Sequence, residues 1–448
     1  MTTKQLFNIT EPVVKTRAIH LDLKGLPPTP ERLIRLLDIF KLARYNVVLV
    51  EWEDTFPWNT DRRFRGETYY SAETVQQFHE HAASLNIEII PLVQSLGHME
   101  TMLQIEDYAA LREVPNRTDV LNPLATGTGE LVLSMLDDVL KLTPTPRFFH
   151  LGGDEAGSFG THPDTKAYVK KYGKATLYLK HIEPLLDYLI KKGIRPILWH
   201  DMMKEWPEEA LTRLGKKADL MIWGYHGTPY NTQEHHSIDV IKRMSVANVS
   251  LWGAGAFKCG ERGAVNLPPA VEREENMLGW VRAAEKFDMV GVCATGWSRN
   301  CTSTPQYAPL DVCLDIIIQI GVILHDGKSH TDGLYAYLEA LDILGERNSF
   351  QRRRDAMERF EIACDNAWMS IREYYQYKAS LTTDSTRHEG GLTKRFLEGI
   401  KHHYEQAEEA GELLAPHFHG LIDDIWIERL FKSRTMAIAS EYENLAIV

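Results

Sequence analysis

The sequence predicts an α/β chain: a (β/α)₈ TIM barrel followed by a C-terminal α-helical region. Short apolar runs alternate with amphipathic helices eight times across residues 16–330. The runs are apolar throughout instead of alternating, as strands of a parallel sheet covered on both faces are. No Gly-rich phosphate loop follows the first run, which argues against a doubly wound open sheet.

Ala18 to Leu23 reads as the first strand, and Leu33, Leu36, Leu37 and Phe40 give helical spacing over Pro30 to Ala43. Asn46 to Trp52 is the second strand, Ser71 to Leu85 a helix, and Ile87 to Val93 the third strand. A longer excursion with a helix over Glu130 to Leu142 precedes the fourth strand, Phe148 to Leu151. One long helix is expected over Pro163 to Lys192. Strands five to eight fall at Arg195 to Trp199, Leu220 to Trp223, Val249 to Trp252 and Met289 to Ala294, with a helix over Leu310 to Leu324. Beyond residue 330 the spacing of Met357, Phe360, Cys364, Trp368, Ile371 and Tyr375 is helical. A polar break at Thr382 to Gly391 follows, then helices over Leu392 to Leu414 and Leu421 to Ala439. The expected division is an extension at 1–15, a catalytic barrel at 16–330 and a helical domain at 331–448, packed either on the barrel or on a second subunit as a homodimer.

The 448 residues are 44% hydrophobic and 25% charged, as in ordinary globular chains. A formal charge of −12 disfavours nucleic acid and anionic membrane as partners. No apolar run reaches membrane-span length, and Met1 to Phe7 lacks a signal-peptide core, so a cytoplasmic location is expected. The five cysteines are scattered without a CxxC pair and read as reduced thiols. The doublet His402-His403 reads as a solvated helical face, not a metal site.

Chemistry concentrates at Phe148-Phe149-His150-Leu151-Gly152-Gly153-Asp154-Glu155. A buried strand ends in two glycines, whose backbone freedom lets two successive carboxylates project toward the strand's mouth. Carboxyl groups so close cannot both ionise cheaply, so one pKa is expected to rise, as in glycosidases that pair a general acid with a charged partner. Acids opening the next helix are the plainer reading of the same two residues.

The string His-x-Gly-Gly-Asp-Glu resembles the signature of glycoside hydrolase family 20, the β-N-acetylhexosaminidases. The stretches His20 to Gly25, Glu51 to Pro57, Pro91 to Glu100, Trp199 to Met202 and Thr295 to Trp297 resemble, in order, the hexosaminidase D branch of that family. The resemblance implies an exo-acting enzyme that removes terminal β-linked GalNAc or GlcNAc from an oligosaccharide or glycoconjugate, with retention and without cofactor or metal. It implies that Glu155 is the general acid/base. Asp154 then orients and charge-stabilises the 2-acetamido group, whose carbonyl serves as nucleophile. His98, after Gly97, matches the family's Gly-His and is expected to hydrogen-bond a carboxylate.

Barrel enzymes work at the C-terminal mouth, so the strand ends supply the other candidates. Trp199, Trp223 and Trp297 are expected to wall the sugar subsite, Tyr225 to hold the acetamido carbonyl, and Asp54 and Asp201 to bind hydroxyls; Trp252 is a further strand-end aromatic. Two departures bear on sugar choice. Where many members end strand one with arginine, this chain has Asp22 and Lys24, and the family's Trp-x-Glu of strand eight is Trp297-Ser298-Arg299. Arg299 and Lys24 are therefore the candidates for reading the 4-hydroxyl, with a GalNAc preference expected. The resemblance also implies that the N-terminal α/β domain of many members is absent. Rival readings are a metal-dependent hydrolase using His20, His150, His200, Asp154 and Glu155, a catalytically silent carbohydrate-binding protein, and a glycosidase of unacetylated sugars.

Overall fold

The computed structural model describes residues 11–260, 267–302, 304–330, 333–383 and 389–447. Eight parallel strands close in sequence order: β1 (Arg17–Asp22), β2 (Val47–Glu51), β3 (Glu88–Leu92), β4 (Phe148–His150), β5 (Arg195–Trp199), β6 (Asp219–Trp223), β7 (Leu251–Lys258) and β8 (Gly291–Gly296). β8 pairs back onto β1 with Ala18 opposite Cys293, which completes the barrel. The layer of helices comprises α1 (Pro30–Leu42), α2 (Ala72–Ser84), α3 (Thr128–Leu142), α4 (Pro163–Tyr172), α5 (Lys174–Lys191), α6 (Glu208–Gly215), α7 (Ile238–Val246), α8 (Ala270–Phe287) and α9 (Leu314–Asp326). Four more follow: α10 (Gly333–Ile343), α11 (Arg347–Thr383), α12 (Leu392–Leu414) and α13 (Asp424–Ile447). Among the described residues no helix is long and apolar enough to cross a membrane.

Local chemistry sets the helix starts. Thr29 and Ser71 accept from Arg32 N and Thr74 N, and Pro30 occupies the first turn of α1, where its missing N–H costs nothing. The helix expected over Pro163 to Lys192 is two helices. Gly173, at φ 86°, breaks it, and its N–H closes α4 on the Val169 carbonyl. β7 runs six residues past the expected end at Trp252 to Lys258, and the last helix lies further along the chain than expected. The expected polar break after Thr382 falls partly outside the described residues.

The barrel interior is layered from apolar to polar toward its mouth. Ala18, Leu49, Phe148, Met221, Trp252 and Cys293 pack one interior cluster. Above them β1 turns inward first His20 and then Asp22. Trp252 therefore lies low in the barrel, stacked edge-on to Phe148 with its indole N–H on Asp219, and not at the mouth where the sequence placed it.

Candidate active site

The tip of β4 is held in an unusual backbone shape. Gly152 and Gly153 take φ 59° and 83°, and Glu155 itself sits at φ 46°. His98 after β3 and Glu53 after β2 are also left-handed, at φ 56° and 44°. A non-glycine residue there costs of order 1–3 kcal/mol, and such strain gathers at functional sites. The neighbouring tips leave no slack: a Cβ on Gly152 would stand 1.9 Å from Gln94 Oε1, and one on Gly97 would stand 2.1 Å from the Asp154 carbonyl. Tyr178 OH donates to the Gly153 carbonyl at 2.9 Å and pins the turn from below. We expect Gly97→Ala to lower stability by about 1–3 kcal/mol, the usual cost of overpacking, and to depress kcat by shifting the carboxylates. Urea titration and steady-state kinetics check this; an unchanged midpoint with unchanged kcat would refute the contact's role.

His98 lies between the two carboxylates, its Nε2 3.7 Å from Asp154 Oδ2 and 3.4 Å from Glu155 Oε2. Burial works against charge on the imidazole, but Asp154 and Glu155 more than offset it and push its pKa well above the usual value. The hydrogen bond from His98 in turn holds Glu155 below the ordinary carboxylate range, although burial opposes this. The raised carboxyl expected of the pair is thus not Glu155. A carboxyl outside the pair, Asp201, is instead pushed up to about 7 by burial and then by the charge of Asp154. Asp201 Oδ2 accepts the Glu155 backbone N–H at 3.0 Å and its Oδ1 accepts Trp223 Nε1 at 3.3 Å, so both oxygens serve protein groups.

A cavity of about 270 Å³ opens over these groups, lined among others by His98, Asp154, Glu155, Trp223, Tyr225 and Trp297. Tyr225 stacks on Trp223 with centroids 5.3 Å apart, and Trp297 stands 6.3 Å from Tyr225, so three aromatics form one wall. Arg299 also reaches the cavity, buried and anchored 3.5 Å from both Glu53 Oε2 and Asp54 Oδ2.

Four residues that the sequence aimed at the sugar do not line this cavity. Trp199 is fully buried in the barrel interior, 6.2 Å from Trp297, because an inward position on β5 points into the core. Lys24 is buried below, its Nζ 3.1 Å from Asp22 Oδ2, 3.3 Å from Glu51 Oε2 and 4.8 Å from the Trp297 ring centre. Asp54 pairs with Arg299, and Asp201 holds Glu155 and Trp223. Each supports a cavity residue from behind.

Glu53 is one of the acids the sequence sets at the strand ends. It is buried at the β2 tip and pushed up to about 8, by burial first and by Asp54 next, with Arg299 pulling the other way. Cys259 and Tyr307 line the cavity and were not named as site residues from the sequence. The signal for Cys259 was hidden because β7 was ended too early, and Tyr307 lies ten residues past Trp297 in a loop with no periodic pattern.

The ligands a metal-dependent reading would need do not meet. His20 Nε2 faces Glu51 at 3.3 Å, His150 Nδ1 accepts Gly152 N, and His200 Nε2 contacts the His235 carbonyl. Among the described residues, the trio of His, Cys, Asp or Glu donors within 4.8 Å of one another is Glu234, His235 and His236 instead.

The catalytic-domain model of glycosyl hydrolase family 20 matches residues 17–304. The chain belongs to glycosyl hydrolase family 20. As a member it is a glycosidase, and its matched segment spans all eight strands and the Trp297–Arg299 tip. Hexosaminidase D of Bos taurus is 32% identical over 321 residues, 67% of this chain and 92% of that protein. Hexosaminidase D of Homo sapiens is 30% identical over 324 residues, 68% of this chain and 66% of that protein. The solved chitobiase of Flavobacterium johnsoniae superposes with a TM-score of 0.58 at 14% identity, covering 97% of this chain and 72% of that one. At that identity the likeness is one of fold.

Proposed function

We propose that this family 20 glycosidase is an exo-acting β-N-acetylhexosaminidase that works by substrate-assisted catalysis. One observation carries the reading: Asp154 and Glu155 stand side by side at the β4 tip, both within reach of His98, beside an aromatic wall. The cavity's about 270 Å³ lies just under the ~300 Å³ lower end of small-molecule pockets, which suits one sugar ring and not an extended chain.

Asp154, buried against the wall, is placed to hold the acetamido N–H and to stabilise the positive charge that develops as the carbonyl oxygen attacks C1. Glu155, half exposed, is placed to protonate the departing oxygen. Its proton is stored one hydrogen bond away on His98. A sugar bound over Glu155 strips its water, raises its pKa and draws that proton across. Water then attacks C1 from the vacated side, with Glu155 as base. Tyr225, in the wall, is placed for the acetamido carbonyl.

The preference for GalNAc rests on Arg299. Of the two candidates for the 4-hydroxyl, it alone lines the cavity, while Lys24 lies behind Trp297. A site built for one hydroxyl orientation leaves buried polar groups unpaired with the other, at about 1–3 kcal/mol each, or roughly tenfold to hundredfold in rate. We expect kcat/KM for an aryl β-GalNAc to equal or exceed that for the β-GlcNAc analogue. A preference above tenfold for β-GlcNAc would remove the GalNAc reading, and turnover of the unacetylated glucosaminide at comparable rates would remove substrate assistance. A reducing, cytoplasmic setting is part of the proposal and rests on the scattered spacing of the five cysteines in the sequence.

A further inference from the structure

The loop between β8 and α9 brings Trp297, Arg299, Asn300 and Tyr307 to the cavity. Its inner edge is tied to the barrel: Ser298 N donates to Asp22 Oδ2 at 2.7 Å, and Tyr307 N donates to the Ser298 carbonyl at 2.7 Å. Its outer edge is gripped by arginines of the C-terminal helices. Arg434 of α13 donates to the Gln306 carbonyl. Arg354 of α11 donates to the Val312 carbonyl at 3.1 Å and to Asp315 at 2.9 Å, and Arg353 donates to the Asp311 carbonyl at 3.4 Å. Tyr307 thus stands between two anchors, with its hydroxyl 2.6 Å from where a Cβ on Gly260 would lie. The phenol is wedged against the backbone that follows β7. Leu267, just before α8, is tied to the same helices, since Glu361 of α11 accepts Leu267 N at 3.1 Å.

Placing a guanidinium in such a position is costly unless its donors are used. Arg434 uses its Nη donors on the Gln306 and Leu430 carbonyls and on Ser433 Oγ, while its buried Nε has no partner among the described residues. Burial lowers its pKa to about 10 and raises that of nearby Glu361 to about 7. A purely structural helix pair would reach the same stability with apolar side chains. What the arginine adds is a directional hold on one carbonyl, next to a residue of the cavity wall.

We propose that Arg434 is a positioning residue for the substrate pocket, fixing Tyr307 through the Gln306 carbonyl, so that the C-terminal helices form part of the specificity apparatus. The kinetic arm of the test rests on the hexosaminidase reading, and a second arm does not. Arg434→Met, Arg434→Lys, Tyr307→Ala and the Arg434→Met/Tyr307→Ala pair are compared in the full chain, with Arg429→Ala as control. Arg429 lies on the same helix but pairs with Glu67 at the surface. Arg434→Met is expected to raise KM for an aryl β-GalNAc about tenfold with kcat within about twofold, the pattern of lost binding rather than lost chemistry. The double variant should be no worse than the poorer single variant, because both act through one wall. Arg434→Lys should recover part of the loss, and Arg429→Ala should match the wild type. Independently of turnover, hydrogen exchange at the Gln306 and Tyr307 amides should quicken in Arg434→Met. Additive losses in the double variant, or unchanged exchange at those amides, would overturn the proposal. A wild type that cleaves no hexosaminide would sink the function instead, leaving the exchange result to judge the positioning role.

Discussion

Glu155→Gln is expected to lose about 10²–10⁴-fold in kcat on glycosides with poor leaving groups, the range that general acid catalysis supplies. The amide keeps the shape and the contact with His98 but has no proton to give. The loss should therefore shrink for activated aryl glycosides, whose leaving groups depart without help. Because Glu155 also acts as base in the second step, the variant should accumulate the cyclised intermediate when the first step is fast. A leaving-group series, plotted for both proteins, separates these effects. Parallel lines with no dependence on leaving-group pKa would remove Glu155 from the acid role.

Asp154→Asn should be nearly as damaging, by about 10²–10³-fold in kcat, the range for losing one preorganised group that stabilises developing charge. KM should move less, since the positive charge on the acetamido group exists mainly in the transition state. A thiazoline mimic of the cyclised intermediate tests the point directly. It should inhibit the wild type and bind the variant poorly. Equal affinity for both would contradict substrate assistance, even if kcat fell. The substitution also has a second readout. With the Asp154 charge gone, one of the forces raising Asp201 and one of those raising His98 both disappear. The pKa of each should fall, which NMR titration of His98 can follow.

The barrel was legible because apolar runs that end in glycine, aspartate or tryptophan leave few other folds open. Strand five matched to the residue. β7 did not, and the reason is physical. Gly253 and Gly255 follow the expected end at Trp252, and a Cβ at either would collide with α8, at 2.6 Å from Trp280 and 2.5 Å from Asn276. Those glycines let a helix press close; they do not turn the chain. The paired carboxylates were legible for the opposite reason, since Gly152 and Gly153 do turn it. Depth was harder to read. Sequence order places Trp199, Lys24, Asp54 and Asp201 at strand ends, but whether an end faces the cavity or lies behind it depends on barrel stagger and loop closure. The location of the raised carboxyl pKa was out of reach for a related reason. Asp201 is raised by its burial and by the nearby charge of Asp154, and both come from the loops after β4 and β5 folding against one another.

The near-contact of Gly97 with the Asp154 carbonyl bears on how such enzymes can be remodelled. Loops on a barrel rim are commonly treated as interchangeable parts, each swapped to give a new activity. Here the segment after β3 and the segment after β4 are keyed into each other, backbone against backbone. Neither will accept a replacement shaped for a different neighbour. A chimera must carry residues 94–98 and 152–156 together, and libraries that vary one while freezing the other will mostly return inactive proteins. Diversity is better placed on the far side of the mouth, where the wall is made by side chains that can change size without moving the main chain.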